Sequence, residues 1–184
     1  GETDDAPLSP LGGQFVAGLL AHARALVGVG SPIVNSYKRL QPGSWAPAHI
    51  CWGVGNRAAL VRIPGMGERR HIEFRSGDNA ANPFIFLTSL LAAGLDGIES
   101  GAILPAPVSE DVGHLSSEEA NAKGLAFLPR SLPEALAAVE ADSVIANALG
   151  PTVWAEFLTV KRAELAAYDL HVHPWEREMY LEAL

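Results

Sequence analysis

Apolar residues recur at helical spacing early in the chain. Phe15, Leu19, Leu20, Ala23 and Leu26 predict a helix over 11–29. Ser9 stands where an N-cap belongs, and Pro10 suits the first helical position. Gly12, Gly13 and Gly18 weaken this segment as an isolated helix, so tertiary packing must support it, and Gly28 and Gly30 mark its end. Residues 31–47 are rich in Pro, Gly, Ser and Asn and read as an ordered loop. Three strand-like runs follow, 48–54, 57–63 and 69–75, joined by a Gly55-Asn56 turn and a Pro-Gly-Met-Gly loop; they read as an antiparallel meander. Asn82-Pro83 opens a helix reaching Gly94–Gly97 that is apolar almost all round and is therefore expected to be buried. Residues 99–123 read mostly as loop, with a short helix after Ser116, whose spacing to Glu119 is that of a capping box. Ser131 and Glu134 repeat that spacing before a helix to about Glu140, with 142–149 as its candidate continuation and Gly150 as its stop. Residues 151–168 form another helix, and a last turn or two follows Pro174. The pattern describes one α+β unit without repeat or linker.

Composition narrows the class. With 184 residues, 48% apolar and 18% charged, the chain can bury a core and is not disordered. Thirteen basic against 21 acidic residues give a net charge of −8 with no Lys/Arg run, which argues against nucleic acid or an anionic membrane as partner. No 18-residue apolar stretch is present, so no membrane span is expected. The acidic first ten residues are the opposite of a secretory signal, a cytoplasmic location is expected, and the missing initiator methionine suggests a processed, tagged or truncated chain. Cys51 is the single cysteine, which excludes an internal disulfide framework and a multi-cysteine metal cluster; its apolar neighbours make it a small core residue rather than a nucleophile.

The chemistry concentrates in one stretch. Side chains alternate along a strand, so His71, Glu73 and Arg75 share one face. That face reads either as solvated, with cross-strand ion pairs, or as a carboxylate for a divalent cation beside an arginine for an anion. Arg57 and Arg62 are five apart and fall on opposite faces of an undistorted strand, meeting one ligand only if Arg57 sits in the turn. Seven of the 13 basic residues, Lys38, Arg39, Arg57, Arg62, Arg69, Arg70 and Arg75, lie within 38–75, which favours an anionic ligand such as nucleotide phosphates. There is neither a P-loop nor a GxGxxG. His22 reads as a partly exposed helical histidine, His171 and His173 lack a third metal ligand, and Ser36 lacks a His/Asp arrangement. Glu99, Glu118 and Glu119 read as solvated charges.

The segments Asn35-Ser36-Tyr37-Lys38-Arg39-Leu40, Pro42-Gly43-x-x-Ala46-Pro47, Asn56-Arg57, Arg62-Ile63-Pro64 and Ile72-Glu73-x-Arg75 resemble the C-terminal half of the glutamine synthetase catalytic domain. The resemblance continues through Ala80-Ala81-Asn82-Pro83, 92–98, Lys161-Arg162-x-Glu164 and Pro174-Trp175-Glu176, and so covers nearly the whole chain in fixed order. It points to type I synthetases and their glutamate–amine ligase relatives. It implies an α+β fold with antiparallel strands of a partial barrel packed with helices. It implies that Arg39 and Arg75 bind glutamate, that Arg57 and Arg62 contact phosphate with Arg57 catalytic, and that Glu73 holds Mg²⁺ or Mn²⁺ beside the γ-phosphate of ATP. The implied reaction makes γ-glutamyl phosphate from glutamate and ATP, then displaces phosphate with ammonia or an amine, a transfer that needs cations around the phosphoryl group.

Several positions depart from the family pattern. Trp45 replaces the glutamate that forms the ammonium site in ammonia-using members, and instead offers an aromatic wall or cation–π face, as in γ-glutamyl-polyamine and related amine ligases; the alternative is a packed loop residue. His71 stands where many members have an arginine near the ATP phosphates, a contact that Arg70 is a candidate to replace. No tyrosine lies near 112–114, where many bacterial members are adenylylated. Residues 1–184 would be the C-terminal part of the catalytic domain, lacking the β-grasp domain and the strands with most metal ligands. The expectation is an inactive fragment of a ring-forming homo-oligomer, with a non-catalytic family member in assembly or regulation as the alternative. A small-anion binding module without chemistry is a more distant reading.

Overall fold

A computed structural model describes residues 8–65 and 67–181. The expected N-terminal loop thus lies largely outside the described residues, as does Met66 of the Pro-Gly-Met-Gly loop. The elements run α1 (Pro10–Ala21), α2 (Ala23–Gly30), α3 (Ser36–Arg39), β1 (Trp52–Val54), β2 (Val61–Ile63), a 3₁₀ turn (Gly67–Arg69), β3 (Glu73–Phe74), α4 (Pro83–Glu99), α5 (Ser117–Ala122), α6 (Leu132–Ala141), α7 (Ser143–Asp169) and α8 (Pro174–Tyr180). The α+β reading stands.

The starts of α1, α4, α5 and α6 were legible because each carries its cap in the sequence. Ser9 Oγ accepts from Gly12 N, and Asn82 Oδ1 accepts from Phe84 N and Ile85 N, each ahead of a proline in the first turn. Ser116 and Glu119 close a reciprocal capping box. The hydrogen bond to the Ser116 backbone, with help from its hydroxyl, holds the Glu119 carboxyl below its usual range.

Four expectations require correction. The first helix is broken at His22, which caps the C-terminus of α1 while α2 restarts at Ala23. The 31–47 loop contains a full helical turn, α3. Residues 142–149 do not continue α6: Asp142 is extended and caps a new helix through bonds from Val144 N and Ile145 N. In that helix Gly150, at φ 74°, makes a kink, and the chain resumes at Pro151. The fourth concerns the sheet: β2 and β3 pair antiparallel, but β1 and β2 pair parallel, with Trp52 opposite Val61 and Val54 opposite Ile63. Parallel neighbours ordinarily need a long crossover. Here each strand is three residues long, and at about 3.3 Å per residue the loop 55–60 is enough to return the chain to the start of its neighbour.

The core lies between this small sheet and the helices α1, α2, α4, α6 and α7, around Leu19, Leu26, Leu60, Ile63, Leu132 and Ile145. The chain before and through β1 is covered from its other side. Ile50 N donates to Ala126 O at 2.8 Å, Leu128 N to Ala48 O at 2.9 Å and Val108 N to Trp52 O at 2.8 Å. Residues 105–115 are therefore an ordered wall and not a free loop. Cys51 is buried there, and burial pushes its thiol up, which fits an inert core residue.

Candidate functional site

The site is built on β1, β2, β3 and the loops that flank them. Because β2 and β3 pair with Arg62 opposite Glu73, these two side chains emerge on the same face. Arg62 Nη1 donates to Glu73 Oε2 at 3.0 Å, and Arg75 Nε donates to Glu73 Oε1 at 3.2 Å. Glu73 is thus held by two guanidiniums, the cross-strand ion pairing anticipated for this face. Arg57 has left the strand and sits in the β1–β2 loop, the condition under which it could share a ligand with its neighbours.

Arg75 is the hub. Its Nη1 donates to the carbonyls of Arg57 and Ala59, the latter at 3.4 Å, and its Nη2 donates to Trp45 O at 3.5 Å. One guanidinium therefore braces the Arg57 loop, the Trp45 loop and Glu73 together. Arg39, half-buried on α3, donates to the carbonyls of Ser76 at 2.5 Å and Gly77 at 3.2 Å, just after Arg75. Ser36 Oγ donates to Asp78 Oδ2 at 2.5 Å. The residues after β3 are thereby fastened to α3.

A cleft of about 330 Å³ opens between these loops, lined by Gly43, Ser44, Trp45, Arg57, Ala58, Arg75, Asp111, Gly113 and His114. Trp45 is 91% exposed, which rejects the reading of it as a packed loop residue. Of the residues expected at a site, Trp45, Arg57 and Arg75 line the cleft, Arg62 and Glu73 join it through the ion-pair chain, and Arg39 stands behind it. Arg70 follows the 3₁₀ turn, with its backbone N donating to Gly67 O at 3.0 Å, and does not line the cleft. His71 is exposed and its Nδ1 lies 3.0 Å from Arg69 O.

Asp111 and His114 also line the cleft, although the sequence did not single them out. Two features bring them in. Asn56 Nδ2 donates to Val108 O at 2.8 Å and Glu110 O at 2.9 Å, and Gly43 N donates to Gly113 O at 2.6 Å. Asn56 in the Asn-Arg pair signals only its own turn, in which Ala58 N donates to Asn56 Oδ1 at 2.9 Å; that its Nδ2 reaches residues 108 and 110 is visible only in the fold.

Four other histidines do not line the cleft. His22 is partly exposed, as expected, but it stands at the helix break and not within a helix: its Nδ1 lies 2.7 Å from Asp142 Oδ2 and its Nε2 3.1 Å from Asp96 Oδ2, joining the α1–α2 break to α7 and α4. His49 is wholly buried against Phe127, and burial lowers its pKa. His171 and His173 pack edge to face at 5.0 Å. Among the described residues no group of three His, Cys, Asp or Glu could hold a metal ion, and no helix is long and apolar enough to cross a membrane.

This architecture, with arginines gathered by short strands under a helical layer, is that of a family catalytic domain. Residues 1–180 match the family described as glutamine synthetase, catalytic domain. The chain is 44% identical over 179 residues to glutamine synthetase of Staphylococcus epidermidis strain RP62A, covering 97% of this chain and 40% of that protein. It is 42% identical over 168 residues to glutamine synthetase of Thermotoga maritima, covering 91% and 38%. A solved GmaS/ADP complex superposes with a TM-score of 0.83 at 40% identity, covering 95% of this chain and 40% of that one; GmaS without ligand gives 0.79. The chain belongs to the glutamine synthetase family. It spans about 40% of the length of those relatives.

Proposed function

We propose that this chain supplies the glutamate- and phosphate-binding wall of an ATP-dependent ligase that joins the γ-carboxylate of glutamate to ammonia or a small amine. The observation that carries the reading is the cleft that gathers Trp45, Arg57 and Arg75, continuous with the Arg62–Glu73–Arg75 ion-pair chain. In this reading Arg39 and Arg75 bind the anionic ends of glutamate, while Arg57 and Arg62 face the transferring phosphoryl group. Arg57 neutralises charge as the acyl phosphate forms, and Trp45 contacts the amine. Arg70 is a further candidate for the nucleotide phosphates. The ADP in the similar GmaS complex supports a nucleotide substrate. Arg57, exposed on a short loop that Arg75 braces, suits this role, and Arg62 and Arg75 are held in place by Glu73, because phosphoryl transfer is helped chiefly by positioned positive charge.

Mg²⁺ or Mn²⁺ fits this chain poorly by itself. Glu73 is the candidate ligand, and both its oxygens already accept from arginines. Such an ion would need ligands beyond those of this chain. The 184-residue polypeptide alone is therefore proposed to be inactive, as the C-terminal part of a catalytic domain that works in a cytoplasmic homo-oligomeric ring. The commitment of Glu73 to arginines also favours a second reading, a non-catalytic member of the family.

The test uses the full-length gene product with ATP, glutamate, Mg²⁺ and either ammonium or an alkylamine, following phosphate release and the γ-glutamyl product by mass spectrometry. Amine-dependent release of phosphate is expected. ATP binding without any amine-dependent turnover would instead favour the non-catalytic reading.

A further inference from the structure

The turn after β3 is anchored on both sides. Arg75 N donates to Leu60 O at 2.9 Å, Ser31 Oγ donates to Ser76 O at 2.5 Å, and Asp78 N donates to Gly30 O at 2.9 Å. Residues 75–78 are thus tied to the residue before β2 and to the end of α2, and Ser31 and Ser76 are wholly buried. The helix α3 is a different kind of element. It has four residues, and among the described residues its N-cap Asn35 makes no side-chain capping bond. A helix shorter than roughly 12 residues is marginal alone. Tyr37 and Leu40 seat its apolar side in the core, but apolar burial is non-directional. The rotation of α3 is therefore set by its polar side. There Ser36 and Arg39, three residues apart, share a face. Ser36 Oγ donates to Asp78 Oδ2 at 2.5 Å, and Arg39 Nη2 donates to Ser76 O and Gly77 O. Both links end on the anchored turn.

We infer that Asp78 is a positioning residue for glutamate: by holding Ser36 it sets the rotation of α3, and so the place where Arg39 presents its guanidinium. The inference rests on the ligase reading above, in which Arg39 and Arg75 bind glutamate. Asp78 suits the task because its own direction is fixed, with Oδ1 accepting from Ala80 N at 2.8 Å while Oδ2 takes the Ser36 hydroxyl. A hydrogen bond to a carboxylate is stronger than one between neutral groups, and Ser36 is buried, so its hydroxyl has no water to turn to instead. The two bonds from Arg39 use one nitrogen of a group with five N–H donors. A helix held at Ser36 does not hang on Arg39 alone, which leaves that guanidinium able to serve a substrate carboxylate. Arg57 and Arg62 stand on the β1–β2 loop and on β2, away from this linkage, so the effect should fall on glutamate and not on ATP.

The experiment uses the full-length protein with Ser36→Val, Ser36→Thr, Asp78→Ala, Arg39→Lys and the double variant Arg39→Lys with Ser36→Val. Phosphate release is followed against glutamate and ATP in turn, with ammonium and an alkylamine as acceptors. Valine and threonine have nearly the same shape, so that pair isolates the hydroxyl. Glutamate KM is expected to rise about tenfold in Ser36→Val and Asp78→Ala, the scale of one hydrogen bond to a charged group, with ATP KM and kcat within about twofold of the parent. Ser36→Thr should stay near the parent. In the Arg39→Lys background Ser36→Val should add little, because it acts through Arg39. Should Ser36→Val fail to fold, Asp78→Ala, at a partly exposed position, reads the same split. Equal glutamate KM in the threonine and valine variants overturns the inference. So does a joint rise in glutamate and ATP KM, the mark of a merely structural bond, or an undiminished Ser36→Val effect beside Arg39→Lys. Each of these leaves the ligase reading standing. A parent that releases no phosphate with either acceptor sinks the ligase reading, and the inference with it.

Discussion

His22 is set between two carboxylates, Asp142 at 2.7 Å and Asp96 at 3.1 Å. Carboxylate oxygens only accept, so both ring nitrogens must carry protons for both contacts to be hydrogen bonds, and that state is the imidazolium. The bond to Asp142 raises the His22 pKa above 6.5; burial opposes it, and Asp96 adds to it. A histidine whose folded pKa is raised contributes stability that is complete below about 6.5 and is lost as pH climbs through the folded value. Asp142 works in the opposite sense. Despite burial, its bond from His22 and those from the Ile145 and Val144 amides lower its pKa, so its contribution disappears as pH falls. The thermal midpoint of His22→Gln should therefore trail the parent most near pH 5.5–6.5, and the gap should narrow by pH 9. A gap independent of pH would show that His22 contributes packing alone. Glu73 allows a second test that separates structure from function. It is 38% exposed, and exposed ion pairs contribute only about 0–1 kcal/mol. Glu73→Gln should thus shift the thermal midpoint by only a few degrees. In the full-length ligase, where further ligands would join Glu73 around a divalent cation, it should cut turnover by roughly 100-fold, the scale for weakening one positive group at the phosphoryl charge. Comparable losses in stability and turnover would mean that Glu73 serves only to brace the arginines. Trp45→Ala carries a related expectation at 91% exposure: stability within about 0.5 kcal/mol, as for surface substitutions, but weaker use of alkylamines.

At the scale of elements, α1 and α4 cross so closely that backbone touches backbone. A Cβ on Gly18 would lie 2.1 Å from Ala93 O, and one on Gly97 would lie 2.3 Å from Gln14 O. Neither obstacle is a flexible side chain, so the helices would have to separate. Gly18→Ala or Gly97→Ala should cost about 3 kcal/mol, the upper range for overpacking. At about 2–4 °C per kcal/mol for a domain of this size, the midpoint should fall by roughly 6–12 °C in calorimetry, whereas Gly12→Ala should stay within 2 °C of the parent. These glycines show why some elements were legible and others were not. Read alone, Gly18 weakens a helix; in the fold it is what allows α4 to dock. Caps such as Ser9, Asn82 and Ser116 bond within three residues of themselves and could be read directly. The parallel pairing of β1 with β2, and the break at His22, depend on partners far along the chain. His22 reaches Asp96 and Asp142, and Asn56 reaches residues 108 and 110. The site divides along the same line. Trp45, Arg57, Arg62, Glu73 and Arg75 belong to one continuous stretch whose alternation and family motifs single them out. Asp111 and His114 enter through a loop whose position no local pattern encodes.

At the scale of the whole molecule, the surface carries apolar area where the sequence pattern anticipated burial. The helix α4 is apolar almost all round, but α1, α2 and α7 pack on it so that only Ser89, Ala93, Gly94 and Gly97 are buried. Phe84 is 82% exposed, and Leu87, Leu91 and Leu95 are each more than half exposed. Their spacing of three, four and four residues lines them along one side of the helix. Single exposed leucines are ordinary, whereas a stripe of four large side chains along a helix promotes association. Charge is a weak defence here: at −8 the chain is acidic overall, yet α4 contributes only Asp96 and Glu99, both near its C-terminus. The 184-residue polypeptide should therefore self-associate as concentration rises, with an apparent mass above 19.4 kDa in light scattering. Adding salt should strengthen this association, because it screens the net negative charge while leaving apolar contacts in place. Leu87→Lys with Leu91→Glu should return the species to monomer without lowering the thermal midpoint, since both positions face solvent. The paired substitution also adds an i, i+4 ion pair with the lysine on the N-terminal side, which contributes little either way. A parent that is monomeric at high concentration, or a double variant that still associates, would move the sticky surface away from α4.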